Sequence, residues 1–495
     1  MKKIVFLFGI LLIFTQFGRG QSEVDALRYS MLYFGGTARS TAMGGAFGAI
    51  GADMSTLSTN PAGIALYNRS EISITPNFNR GETESAFLGN SITDSKYDFG
   101  LQNVGGVFTF GSGSERADWK KFQFGIGINR LKNFNNQFYV AGNNTQQYGT
   151  IMEPYWNYAT NNGSVNIQPD QLSSVAAFDA YLAYDVNLLY DVNPQTDQYE
   201  WGYDAIYGGV QQTKRVETSG AVDEVYISFG GNYRDRLYLG GTLGLQSIEY
   251  KESNIYTEND VADTIPFFNS LTKYDNLKTT GSGVNLKLGA IYRATSWLRL
   301  GLALHTPTFF NSMKDEWDAR MESSLTFDEN PESFSSQKQV GEFEYQLRTP
   351  MRLITNVGVT IGQYGLITAD YELVDYSAAN LDSDTDNFMD ANEYMDANFQ
   401  QQHNIRLGTE WRYDNFYFRG GYAYYGTPYE GGNEFGETTF TTFGLGYRTN
   451  NFYLDFAYTL SKMKDTYFIY DANYAPVTVN DYSKERFMTT IGFPF

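Results

Sequence analysis

Cysteine is absent from all 495 residues. That excludes disulfides, thiolate metal sites and a lipid-bearing N-terminal cysteine. Histidine occurs only twice, at His305 and His403, and no serine motif accompanies either. A Ser/His hydrolase needs one of them as base, so no enzyme activity is expected. As haem ligands the two are weak candidates, although tyrosine is abundant. Basic residues are in deficit, with 36 Lys and Arg against 56 Asp and Glu, a net charge of −20. Such a chain offers no basic face to nucleic acid. Long apolar runs are missing as well. The one run, residues 4–14, is too short to cross a bilayer as a helix,.

That run follows Lys2-Lys3 and precedes Gly18-Arg19-Gly20. A basic start, an apolar middle and a small-residue cleavage site make residues 1–20 a secretory signal, with the mature chain starting at Gln21,. Its removal takes the net charge to −23. The protein is therefore expected to be exported, without helices that cross a membrane.

Aromatics are plentiful, at 17% of the chain with 39 Tyr and 37 Phe. One soluble core would be overfilled by so many, whereas two membrane interfaces can take them as girdles. Alternation of period two, bounded by turn residues, marks fourteen strands between residues 71–80 and 484–495,. Their faces are distinct. Phe452, Leu454, Phe456 and Tyr458 share one side of a strand, and Tyr453, Asp455, Ala457 and Thr459 share the other. Short connections, such as 234–235, 294–296, 362–364 and 449–450, alternate with long ones at 81–100, 131–221, 251–282, 305–341, 374–401, 426–437 and 461–483. Even strand number, apolar-out alternation and loops that are short on one side only predict a transmembrane antiparallel β-barrel over residues 70–495. Residues 131–221 are too long for an ordinary loop. Within them 169–190 carry a helical spacing of apolar residues, so a helical extracellular insertion is expected.

Ahead of the strands lies GGTARSTAMGGAFGAIGADMSTLSTNPAGIAL, residues 35–66. It has neither strand alternation nor an amphipathic stripe, and its small residues let backbone pack against backbone. The string Ala46-Phe47-Gly48-Ala49, then Asp53, then Asn60-Pro61-Ala62-Gly63-Ile64-Ala65 resembles the N-terminal hatch of the FadL-type outer-membrane transporters of hydrophobic compounds. Tyr371-Glu372-Leu373-Val374-Asp375-Tyr376-Ser377 resembles a strand segment of the same family, and the terminal Phe495 resembles the signal read by the barrel-assembly machinery. The resemblance implies a hatch over residues 21–69, with Asp53, Asn60, Pro61, Ala62 and Gly63 as ligand or gating residues. It also implies a hydrophobic entry site formed by the helical insertion, and a sideways exit at a bent third strand, for which Gly125 and Gly127 are the candidates. Passive uptake of hydrophobic molecules such as long-chain fatty acids follows, in an outer membrane bearing lipopolysaccharide. The alternative is a non-transporting barrel that docks a secretion or surface-anchoring machine.

One acidic loop stands apart. Asp382, Asp384, Asp386, Asp390 and Glu393 occupy the first, third, fifth, ninth and twelfth positions of an EF-hand calcium loop, with Asn387 in place of the usual glycine,. Asn tolerates the left-handed conformation needed there. The loop reads either as a structural calcium site or as a solvated acidic segment of an acidic protein, and no cofactor is required for transport,.

Overall fold

The structure is a computed structural model that describes residues 23–111, 117–145, 149–160, 167–172, 178–195, 199–204, 209–385, 387–431 and 435–495. Residues 1–20, expected to be a secretory signal, and Asp386 lie outside the described residues.

Fourteen antiparallel strands close into a barrel. They are β1 (Glu71–Phe87), β2 (Asn90–Gly111), β3 (Trp119–Asn133, continued by Asn136–Asn144), β4 (Val210–Tyr233), β5 (Leu237–Asn259), β6 (Phe268–Arg293) and β7 (Leu298–His305, continued by Phe309–Phe327). Then come β8 (Asn330–Ser335, Gln339–Arg348 and Arg352–Ile361), β9 (Gly365–Asp375, continued by Asn380–Asp382), β10 (Gln401–Tyr413), β11 (Phe416–Tyr425), β12 (Thr438–Arg448), β13 (Tyr453–Phe468) and β14 (Val477–Pro494). Pairing of β1 with β14, from Glu71–Pro494 upward, closes the wall.

The period-two pattern decides which way each side chain faces. Outward residues form an apolar belt, with Phe99 at 78% exposure, Phe229 at 60% and Leu302 at 51%. Inward residues of the same strands include buried Asn129, Glu224, Lys287, Asp370 and Arg406. Above the belt the outward face turns to ion pairs, including Lys278–Glu316 and Lys314–Glu342, both at 2.8 Å. The wall thus rises past the lipid into water. Among the described residues no helix is long and apolar enough to cross a membrane, so the strands do the crossing,.

Most of the long connections expected at one end are instead continued wall. The 81–100 segment is a hairpin turning at Leu88-Gly89, and the 305–341 segment turns at Asp328-Glu329. Leu88, Asp328, Glu329, Arg234 and Asp235 all take positive φ, the geometry of tight turns whose twist suits antiparallel strands,. The eighth strand, expected unbroken over 342–361, is interrupted at Thr349–Met351 because Pro350 has no N–H to give the ladder,.

Inside the barrel sits the N-terminal segment. It comprises α1 (Glu23–Ser30), α2 (Ala38–Ala42) and two 3-10 turns, Met54–Ser58 and Pro61–Leu66. Over the mouth lies a cap with α3 (Met152–Ala159), α4 (Pro169–Leu172) and α5 (Phe178–Asp185). The helix expected at 169–190 is present as α4 and α5; residues 173–177 between them lie outside the described residues.

Candidate functional site

The hatch meets the wall backbone to backbone. A Cβ added to Gly240 would lie 2.2 Å from the Pro61 carbonyl oxygen, and one on Gly421 would lie 2.2 Å from the Gly44 nitrogen. On Gly408 it would lie 2.5 Å from the Met43 oxygen, and on Gly444 2.4 Å from the Ala42 Cβ. Inward wall glycines and small hatch residues therefore form one contact from both sides. Wall glycines such as Gly240, Gly408, Gly421 and Gly444 are the seat of the hatch.

Side chains complete the fastening. Asp370 accepts from the Phe47 and Gly48 N–H groups, each at 3.1 Å. Asn60 donates to the Gly48 carbonyl at 2.9 Å and to Asn356 Oδ1 at 3.0 Å. Arg39 forks onto Glu410 at 2.8 and 2.7 Å. Glu410 also takes Arg419 at 2.6 Å, and Arg419 continues to Asp455 at 2.7 Å. Ser58 Oγ and Lys287 both reach Glu224, at 2.9 and 2.5 Å. Among the described residues, no backbone–backbone hydrogen bond joins hatch residues 23–67 to the wall.

The residues singled out from the hatch string shape it from within. Asp53 caps the Met54–Ser58 turn, accepting from Ser55 N–H and from Thr37 Oγ1 at 2.7 Å. Asn60 caps Pro61–Leu66, with Pro61 in its first turn. Ala62 is fully buried, and a Cβ on Gly63 would strike Thr56 at 2.5 Å.

Above the hatch, residues 29–35 cross the lumen. Arg352 donates to the Ser30 carbonyl at 2.6 Å, Lys132 to that of Arg28 at 2.7 Å, and the Phe34 N–H to Tyr425 Oη at 3.2 Å. Under this strap is a cavity of about 60 Å³, touched by Tyr33, Phe34, Thr59, Lys287, Arg352 and Arg406. The two histidines face opposite sides of the wall. His305 is buried and gives its ring N–H to the Thr59 carbonyl at 2.6 Å, whereas His403 is exposed and shares a 2.7 Å bond with Tyr371 Oη. They cannot clasp one haem.

Gly125 and Gly127 lie in continuous ladder with both neighbours, Gly127 opposite Gly105 and Tyr226. A Cβ on Gly125 would meet Leu57, and one on Gly127 would meet the Tyr226 hydroxyl. The irregularities of β3 fall to either side of them, between Trp119 and Lys121 and, higher, between Arg130 and Lys132. There the β2–β3 ladder ends at Asn103–Asn129, and side chains bridge the seam above it: Asn133 to Asp98 at 3.0 Å and Gln137 to Asp94 at 2.8 Å.

The cap is apolar at its centre. Ile151, Met152, Tyr155, Leu182, Leu189 and Phe268 belong to its buried cluster. Carboxylates pin it to the wall: Glu258 accepts from the Ile151 N–H and from Gln212, each at 2.9 Å, and from Tyr256 at 2.5 Å, and Asp179 of α5 pairs with Lys273 of β6 at 2.7 Å. In α3, burial raises the Tyr158 hydroxyl above its usual range, and the Asp471 carboxylate it donates to adds to the rise.

The acidic loop enters as Asn380–Asp382 and leaves as α6 (Met389–Asn398), which carries Asp390 and Glu393 in its first turns. Asn392 closes the loop by exchanging hydrogen bonds with Leu381, both at 2.9 Å. Asp382 and Asp384 are exposed. Among the described residues no three carboxylates are gathered closely enough to hold an ion.

No protein-family model matches the sequence. No curated protein matches it either. Solved structures do. A Pseudomonas aeruginosa FadL homologue superposes with a TM-score of 0.56 at 11% identity, covering 94% of this chain and 100% of its own. The Pseudomonas putida toluene transporter TodX gives 0.53 at 11%, covering 93% and 99%. The Ralstonia pickettii toluene transporter TbuX gives 0.51 at 16%, again covering 93% and 99%. With its fourteen strands, internal N-terminal segment and near-complete overlap, the chain has the fold of the FadL-type barrels.

Proposed function

We propose that the protein is an outer-membrane channel for passive uptake of hydrophobic molecules. The observation that carries this is the attachment of the hatch. It fills the lumen yet shares no backbone ladder with the wall among the described residues. A plug held by side chains and close contact can shift without unravelling the sheet; one woven into the ladder could not. The apolar belt places the wall in a membrane, and the ion-paired rim above it, with Lys278–Glu316 and Lys314–Glu342, suits the polar lipopolysaccharide layer. Long-chain fatty acids, or smaller apolar compounds such as those named for the structural relatives, are the cargo class. The cationic groups Lys287, Arg352 and Arg406 beside the cavity are already paired with Glu224 and Glu372, so they set no charge preference for the cargo. Phe495, exposed at the end of β14, is the contact for the barrel-assembly machinery during insertion.

The test is deletion of residues 22–66. The barrel should still assemble, migrate heat-dependently on a gel and show β-sheet circular dichroism, but it should pass small polar solutes in liposomes. If the deletion variant never reaches the membrane, the hatch belongs to the folding nucleus and the gating role falls.

A second reading is a docking barrel for a surface machine. The dense cap over the mouth favours it, since a closed mouth leaves the working surface on the loops. Entry of an apolar dye into cells with an intact lipopolysaccharide outer membrane, compared with and without the protein, separates the two readings.

A further inference from the structure

We propose that the barrel carries a covalent amide cross-link between the side chains of Lys484 and Asn133, formed by the chain itself. Three side chains meet on the lumen side of the wall, one from each of three strands. Lys484 of β14 donates to Asn133 Oδ1 of β3 at 3.3 Å. Asn133 Nδ2 in turn donates to Asp98 Oδ2 of β2 at 3.0 Å. A primary amine, a carboxamide and a carboxylate in contact are the full set for transamidation. The carboxylate is itself held in place. Asn79 Nδ2 donates to Asp98 at 2.8 Å, and Arg486 donates to Asn79 Oδ1 at 3.0 Å.

Lys484 differs from other lysines of the lumen. Lys287 holds Glu224 at 2.5 Å, and Lys273 holds Asp179 at 2.7 Å. Among the described residues Lys484 is in no ion pair, and its Nζ reaches only Asn133. Half-buried and without a counter-ion, the ammonium gains little by keeping its proton, and the neutral amine is the nucleophile. Its register partner on β1 is Gly81, which has no side chain to block the reach toward β3. Next to Asn133, Phe134 packs edge-on against Tyr29 and Tyr250, with ring centroids 6.0 and 5.1 Å away. Those rings shield one flank from water, which would otherwise compete with the amine for the carboxamide.

The step balances. Lys484 Nζ bonds to Asn133 Cγ, the Cγ–Nδ2 bond breaks, and ammonia leaves. The proton that Nζ gives up passes through Asp98 to Nδ2, along the hydrogen bond already in place,. No oxidant, metal or co-reactant enters. Oδ1 and Cγ share the carboxamide plane, so a small rotation of Asn133 presents Cγ to Nζ within the near-attack range of about 3–3.5 Å. The product ties β14 to β3 across β1 and β2. Both seams of the wall lie in that span. One is the β1–β14 pairing that closes the barrel, and the other is the β2–β3 ladder that ends at Asn103–Asn129. One covalent link thus makes a hoop of a wall otherwise closed by hydrogen bonds. It does so under either functional reading above.

The test is mass spectrometry of the full-length protein, purified from outer membranes and digested with trypsin. The expected product is a joined pair of peptides, one carrying Asn133 and the other Lys484. It should be one ammonia lighter than the two together, with no cleavage after Lys484. Ammonia lost elsewhere in the chain would not join these peptides. On a denaturing gel the boiled wild type keeps a closed loop and should run ahead of the variants. Lys484→Arg keeps the charge and Asp98→Asn keeps the shape. Each should yield separate peptides from a barrel whose unboiled migration and circular dichroism match the wild type. Separate peptides from the wild type overturn the cross-link and leave a hydrogen-bonded bridge. A joined pair from Asp98→Asn overturns the proton route through Asp98. The wild-type digest decides the proposal by itself, whether or not the variants fold.

Discussion

In the lower lumen, hatch and wall approach through main chain. Gly44 lies against Gly421, Met43 against Gly408, and Pro61 against Gly240. In the extracellular cap the filling is side chain, with Tyr155, Leu182, Trp201, Tyr256 and Phe268 buried in one cluster. Both regions are closed, but they are closed by different physics. The lower contact adds to small apolar clusters, such as Met43, Phe47 and Ile50 with Leu366, a close backbone fit and a buried chain of ions, Arg39–Glu410–Arg419–Asp455. The cap relies mainly on apolar burial, with carboxylates such as Glu258 and Asp179 fastening it to the wall. A region held by directional bonds can be released in one step once those bonds part. A region held by many small apolar contacts yields only piecemeal. The moving part of this protein is therefore expected below, at the hatch, and the static part above.

The largest effect should come from cutting the ion chain. Glu410→Ala leaves Arg39 and Arg419 facing each other in the interior, and breaking such a pair costs about 3–5 kcal/mol. The expected readout is hatch release: polar-solute leakage in liposomes, with the urea midpoint of the wall itself little changed. Tight liposomes with this variant would show that the ions do not hold the hatch.

In the cap, Leu182→Ala removes a fully buried side chain and should cost about 2–5 kcal/mol locally,. Limited proteolysis should then clip residues 131–221 faster while leakage stays at the wild-type level. Leakage would mean that cap and hatch are one unit, and the contrast between them would be lost.

Adjacent glycines test the contact itself. Gly421→Leu drives a side chain into the Gly44 backbone, an overpacking of about 1–3 kcal/mol,. Gly420→Leu faces outward, where an added Cβ has its nearest neighbour at 4.0 Å. The first should leak and the second should not. Equal behaviour of the two would show that the glycines are there for strand bending and not for the hatch.

The contrast also explains what the sequence made legible. The hatch was readable because a run of small residues with no periodicity is rare. Strand faces were readable because alternation such as Phe452, Leu454 and Phe456 against Tyr453, Asp455 and Ala457 survives in every strand. The seat of the hatch was not readable, since a wall glycine such as Gly421 looks the same whether it bends a strand or receives a backbone. The height of the wall was missed because its tight turns are built from Leu88, Asp328 and Glu329 in left-handed conformations and not from Asn-Gly. Pro307 read as the start of a loop after His305, and Pro350 passed inside an alternating strand. Only the register showed that they face each other.

The smallest expected effect concerns the acidic loop, which belongs to neither region. Asp390 and Glu393 are three apart on α6 and so share a side of the helix,. Asp382 and Asp384 alternate on the incoming chain, and Asn392 already draws that chain toward the helix through Leu381. A calcium ion would have to pull these carboxylates in from exposed positions, which points to a weak site with a dissociation constant of about 10⁻³ M. At a matching calcium concentration, mass action then gives about 0.4 kcal/mol of stabilisation. The proposal predicts that calcium slows proteolysis within residues 381–394 of the wild type, with no change in hatch leakage. Asp384→Ala combined with Glu393→Ala should abolish that protection. Equal cleavage in calcium and in chelator, in wild type and variant alike, would leave the loop as a solvated acidic segment and nothing more.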